Sequence, residues 1–131
     1  MSRGGVPDVA EVRVLVVDDQ AAFLRAMTSV VEETAGFVVA GTASSGEEAL
    51  LAAAAVLPDL VLMDVNLPGI DGLEATRQVR SSEHPPVVLL LSTYDEDAGD
   101  QFLADSGAAA YVTKSAFGPD VLDKLWSAAA R

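Results

Sequence analysis

Five short apolar runs alternate with five longer segments along the chain. The runs cover 12–17, 37–41, 60–63, 87–91 and 109–112, and most are Val and Leu without polar alternation. Such runs read as strands covered on both faces, as in a parallel sheet. The segments between them, about 20–34, 46–56, 72–82, 95–105 and 118–130, have helical length and spacing. The punctuation agrees with this division. Ser45 followed by Glu48 is a capping-box pattern, and Asp71 with Glu74 repeats it. Pro119 suits the first turn of the last helix, and Gly36 and Gly107 stand where helices should stop. Gly99 weakens the fourth helix, which is expected to be the least rigid.

Five strand–helix repeats imply an α/β fold, a doubly wound, five-stranded parallel sheet between two layers of helices. At this size the flavodoxin-like strand order 2-1-3-4-5 is the common solution, and it puts a site at the carboxyl ends of strands one and three. Residues 1–10 read as a flexible arm and 11–131 as one domain, with no linker and no output domain.

Composition narrows the function. Half of the 131 residues are hydrophobic and 21% are charged, a globular balance. The formal charge of -12 argues against direct nucleic-acid binding. Without cysteine there are no disulfides, thiolate metal sites or cysteine nucleophiles. No run approaches the roughly 18 apolar residues of a membrane span, and the N-terminus lacks a secretory apolar stretch. The expectation is a soluble, cytoplasmic domain.

Three carboxylates then stand out. Strand one ends in Asp18-Asp19 and strand three in Asp64, and the strand order brings these ends together. Clustered like charges repel, and a bound cation is the usual way to keep them. Oxygen-only ligands suit a hard cation such as Mg²⁺, with Mn²⁺ as a substitute, and Mg²⁺ commonly shares its shell with phosphate. Phosphoryl chemistry on a carboxylate nucleophile is the leading idea. Ser92 after strand four and Lys114 after strand five face the same edge, where a hydroxyl and an ammonium could meet phosphoryl oxygens. Singly, Asp18 reads as a helix cap, Asp64 as a turn residue, Ser92 as a loop serine and Lys114 as a solvated charge. Their coincidence at four strand ends favours the functional reading.

The stretches LVVDD (15–19), LVLMDVNLPGIDGLE (60–74), VVLLLST (87–93) and GAAAYVTKS (107–115) resemble the receiver domain of two-component response regulators, whose fold is CheY-like. GFVVAGTASSGEEAL (36–50) and STYDED (92–97) resemble the NarL/FixJ type in particular. The resemblance implies that Asp64 accepts a phosphoryl group from a sensor histidine kinase. It implies Asp19 as direct Mg²⁺ ligand, Asp18 as the neighbour acting largely through water, and the Asn66 backbone carbonyl as completing the shell. Ser92 and Lys114 would contact the phosphoryl group. Tyr111 would turn inward when Ser92 moves, changing the surface of helix four, strand five and helix five. The domain would turn over no external metabolite. Receivers of this type usually precede a DNA-binding domain, so the chain is either a piece of a longer transcription regulator or a stand-alone receiver.

Several positions depart from the family or stay outside its pattern. Ser92 replaces the more usual Thr and keeps the hydroxyl. Gln20 stands where His is usual and is assigned no role. Ser115 follows Lys114 where many receivers have Pro; a cis bond before any other residue costs about 3 kcal/mol, so a trans bond is expected. Tyr94, after Thr93, is a candidate cover for the phosphoryl group. Phe23 and Leu24 are adjacent and cannot both face the centre of one helical stripe. Leu24 is expected to be exposed, on a candidate homodimer surface of the first and last helices. Trp126, with Leu122, Leu125 and Ala129, reads as core. His84 reads as a solvated loop residue.

Two other classes fit less well. Haloacid dehalogenase-like phosphatases carry an acid two residues after the nucleophile, where this chain has Asn66. A flavin carrier needs a phosphate loop rich in Ser, Thr and Gly after strand one, where this chain has Asp-Asp-Gln-Ala-Ala.

Overall fold

The computed structural model describes residues 11–93 and 99–130. The arm at 1–10, Tyr94 and the expected first turn of the fourth helix at 95–98 lie outside the described residues. The elements run β1 (Val12–Val17), α1 (Ala21–Glu33), β2 (Phe37–Ala43), α2 (Gly46–Val56), β3 (Leu60–Asp64), α3 (Gly72–Arg80), β4 (Val87–Ser92), α4 (Gly99–Ser106), β5 (Ala110–Thr113) and α5 (Pro119–Ala129). All strand pairs are parallel and the order is β2-β1-β3-β4-β5, as expected.

Period two explains how the uniform apolar runs build two cores. The even positions of β1 and β3 (Val14, Val16, Leu60, Leu62) and the odd positions of β4 (Leu89, Leu91) join Met27 and Val31 of α1 and Leu122 of α5. The opposite faces, odd in β1 and β3 (Leu15, Val17, Val61, Met63) and even in β4 (Val88, Leu90), join Ala49, Ala75 and Val79 of α2 and α3. Each strand therefore needs apolar side chains on both faces, which is why it shows no polar alternation. Trp126 packs edge-on against Phe37, with ring centroids 6.4 Å apart, in the α1/α5 core.

Leu24 corrects the expectation. It is half-buried and packs on the α1/α5 core, so it adds no exposed hydrophobe to a homodimer surface. The exposed large hydrophobics among the described residues are Leu51 (74%) and Leu57 (66%), on or just after α2.

The helix ends follow the side chains. Ser45 Oγ accepts the Glu48 N–H at 3.0 Å, but the Glu48 carboxylate reaches back one residue further than a capping box requires. It accepts from Ser44 N–H at 2.9 Å and Ser44 Oγ at 3.0 Å, and these bonds hold its pKa below the usual carboxylate value. Asp71 accepts the Glu74 N–H at 2.9 Å. Glu74 turns outward to Arg77 and Gln78 instead of returning to Asp71. No described peptide bond is cis, so Lys114–Ser115 is trans as expected; Lys114–Ala116 form a 3₁₀ turn leading to α5.

Candidate functional site

β1, β3 and β4 stop together at one edge of the sheet. Asp64 is the last residue of β3, Ser92 the last of β4, Asp18 follows β1 directly and Lys114 follows β5 directly. Asp64 pairs in register with Leu91, and Ser92 with Thr113. Hydrogen bonding to neighbouring strands thus sets the depth at which each side chain leaves the sheet.

Asp18 is fully buried. Its Oδ1 accepts the Gln20 N–H at 2.9 Å, a turn of the chain into α1. Gln20 itself occupies the N-cap position and makes no side-chain cap bond. Asp18 Oδ2 faces the Lys114 ammonium, with Nζ at 2.6 Å. The pair is close in charge but not aligned as a hydrogen bond, and this oxygen has no directed donor. Lys114 Nζ also lies 3.5 Å from Asp64 Oδ1. Asp64 is 3% exposed, and its Oδ1 accepts the Asn66 N–H at 3.3 Å. Burial, reinforced by the Asp18 charge, raises the Asp64 pKa to about 6, against the lowering effect of Lys114 and the Asn66 N–H.

Asp19 is exposed, and carboxylate oxygens of Asp18, Asp19 and Asp64 lie within 4.8 Å of one another. Three carboxylates against one ammonium leave the pocket negative. The donor set is all oxygen, one buried oxygen lacks a directed hydrogen bond, and Asp19 opens the cluster to water. These features fit a hard, partly hydrated divalent cation.

Ser92 is fully buried at the end of β4. Asn66 is exposed in the loop after β3. Tyr111 sits in mid-β5, half-buried, on the other side of the sheet with α4. Its ring centroid is 5.6 Å from that of Phe102, at 58°. A Cβ at Gly99 would stand 2.7 Å from Tyr111 Cδ2, so the glycine gives the ring its seat against α4. His84 is largely solvent-exposed, 3.9 Å from Glu83 at the opposite end of the sheet, and takes no part in this site.

Two residues lie at this site that the sequence does not assign to it. Gly72 opens α3 directly behind Asp64: a Cβ there would stand 2.0 Å from the Asp64 carbonyl oxygen, and the Gly72 N–H donates to Val65 O at 2.9 Å. Phe23 places its ring centroid 4.0 Å from Lys114 Nζ. The signals were present, as a glycine in the first turn of a helix and as two adjacent bulky side chains in α1.

The family model of the response regulator receiver domain matches residues 14–125. The response regulator GacA of Pseudomonas viridiflava is 45% identical over 106 residues, covering 80% of this chain and 49% of that protein. A protein-glutamate methylesterase/protein-glutamine glutaminase of Halalkalibacterium halodurans is 36% identical over 115 residues, covering 87% of this chain and 33% of that protein. The chain thus spans about half the length of GacA and a third of the methylesterase. Among solved structures, the signal receiver domain of the response regulator NarL from Mycobacterium tuberculosis superposes with a TM-score of 0.82 at 34% identity, covering 92% of this chain and 97% of that one.

Proposed function

The chain belongs to the response regulator receiver family, and from that premise we propose that Asp64 is the phosphoacceptor of a two-component switch. The observation that carries this reading is the meeting of Asp18, Asp19 and Asp64 with the Lys114 ammonium at the carboxyl edge of the sheet. An Asp64 oxygen attacks the phosphorus of a phosphohistidine on a sensor histidine kinase. The P–O bond forms as the P–N bond breaks, and the imidazole leaves with the electron pair and takes a proton. Lys114 pairs with one phosphoryl oxygen and the Ser92 hydroxyl donates to another. Asp19, Asp64 and the Asn66 carbonyl would hold Mg²⁺, or Mn²⁺, with Asp18 acting through water, and the ion would supply neutralisation of the developing charge.

The new phosphoryl group adds charge and acceptor oxygens beside a buried lysine and serine. Ser92 follows it, Tyr111 leaves its seat on Gly99, and the surface of α4, β5 and α5 changes. The domain works in the cytoplasm as a switch with no external substrate. Its output is transcription through a DNA-binding domain outside the receiver. With a charge of -12, this domain does not itself hold DNA. The described residues include no helix long and apolar enough to cross a membrane.

Incubation with Mg²⁺ and acetyl phosphate tests the assignment. The expected result is a mass increase of one phosphoryl group in the wild type and none in Asp64→Asn. No increase in the wild type with acetyl phosphate or a phosphorylated kinase, or an equal increase in Asp64→Asn, overturns it.

A further inference from the structure

Phe23 is the third residue of α1 and belongs to neither hydrophobic core of the described residues, although its neighbour Leu24 packs on one of them. Instead, its ring centroid lies 4.0 Å from Lys114 Nζ. The same ammonium is 2.6 Å from Asp18 Oδ2 and 3.5 Å from Asp64 Oδ1, and the lysine side chain is 8% exposed. An aromatic face is the negative part of the ring and is repelled by carboxylates. Beside an acidic cluster the ring is stable with its face to a cation, and Lys114 supplies that cation.

We propose that Phe23 is a positioning residue for the phosphoryl-transfer site, its ring face holding the Lys114 ammonium between Asp18 and Asp64. The role rests on the phosphoacceptor reading of Lys114; the contact between ring and ammonium does not. Lysine has a flexible four-carbon stem and a strongly hydrated head. Two carboxylates alone leave that head free to turn toward water. The ring closes a further side of the ammonium and confines its travel to the path from Asp18 to Asp64. When Asp64 carries a phosphoryl group, the ammonium reaches a phosphoryl oxygen by a short slide along the ring face. The attraction is non-directional over such a slide, whereas a hydrogen bond in the same place would have to break.

A ring series separates this role from packing. Phenylalanines carrying one, two, three and five fluorines at position 23 keep nearly the same shape while weakening the negative face. The first readout is the chemical shift of the Lys114 ε-methylene protons in the metal-free, unphosphorylated protein. The second is the rate of phosphorylation by acetyl phosphate with Mg²⁺. In the wild type the ε-methylene protons should be shifted upfield by the ring, and this shift should vanish in Phe23→Leu and persist in Phe23→Trp. The rate should fall stepwise with fluorination, reach a loss of about three- to tenfold in Phe23→Leu, and be restored in Phe23→Trp. A flat rate across the fluorinated series, or an unshifted Lys114 in the wild type, overturns the proposal even if Phe23→Leu does not fold. If Lys114 follows the ring but the wild type takes up no phosphoryl group from any donor, the contact stands and the phosphoacceptor reading falls.

Discussion

Lys114 Nζ stands 2.6 Å from Asp18 Oδ2, with the aspartate side chain wholly buried and the lysine side chain 8% exposed. A buried pair of this kind is only modestly stabilising as a whole, because both charges lost their water. Removing one partner is a different matter. Lys114→Met leaves Asp18 and Asp64 facing each other without a counter-ion, and it should lower stability by on the order of 3 kcal/mol. Urea unfolding in a chelator measures this. Mg²⁺ should recover more stability in Lys114→Met than in the wild type, since the cation then meets uncompensated carboxylates. A loss below about 0.5 kcal/mol, the range of ordinary surface changes, would show that the ammonium is not the counter-ion of the cluster.

Asp64 should make the metal-free protein pH-sensitive. Its folded pKa is raised from 3.8 to about 6 by burial and by Asp18. Between those values the folded state holds a proton that the unfolded chain has released. The group's stabilising contribution is therefore fully present below about pH 4 and is lost as pH rises through about 6. In a chelator, Asp64→Asn should be more stable than the wild type at pH 7.5, by on the order of 1–3 kcal/mol, and the gap should shrink toward pH 5. Thermal or urea unfolding of both proteins across this range is the measurement. A gap that stays constant with pH would mean that Asp64 titrates as an ordinary carboxylate.

How far the sequence reveals these features depends on the range of the force involved. β1, β3 and β4 are legible because both their faces are buried, which demands unbroken Val and Leu. β2 runs on to Ala43 through Thr42, an exposed residue on the edge strand, where solvent tolerates a hydroxyl and the apolar run breaks off early. Asp18, Asp19, Asp64 and Lys114 are legible because strand order alone brings strand ends together. The second bond of the Ser45 cap is not, since Ser44 and Ser45 are chemically alike and only the backbone path selects Ser44 for Glu48. Phe23 and Leu24 were indistinguishable as apolar letters. Their division, one toward the lysine and one toward the core, follows from helix phase and from a cation that arrives 91 positions later in the chain.

Gly72 should be intolerant of any side chain. The added Cβ of Gly72→Ala would stand 2.0 Å from Asp64 O and 2.8 Å from Val65 Cα. Both are backbone atoms, held by the β3–β4 ladder and by the Val65 N–H bond to Leu91 O at 3.0 Å. The helix must retreat or Asp64 must move, and overpacking against backbone should cost on the order of 3 kcal/mol. The surviving folded protein should also bind Mg²⁺ more weakly, because the displaced strand end carries a ligand of the cluster. Chemical denaturation and a Mg²⁺ titration check the two effects separately. Unchanged stability would place α3 further from Asp64 than this structure does.

Leu57 offers the opposite opportunity, a substitution that should stabilise. It caps α2 in the left-handed region, φ 49° and ψ 65°, and is the described non-glycine residue with positive φ. Its N–H donates to Ala53 O at 3.0 Å, closing the helix, and the Arg13 guanidinium donates to the carbonyls of Val56 and Leu57. The backbone there is well satisfied, so the strain lies in the Cβ. The side chain is 66% exposed, so little burial is lost on its removal. Glycine relieves the strain but loosens the unfolded chain, and the net gain for Leu57→Gly should be about 0.5–1 kcal/mol. Leu57→Val should lose about 1 kcal/mol, because a branched Cβ is worse placed at positive φ. Thermal unfolding of the three proteins should rank them Gly, Leu, Val from most to least stable. A reversed order would mean that the apolar contacts of the Leu57 side chain outweigh its backbone strain.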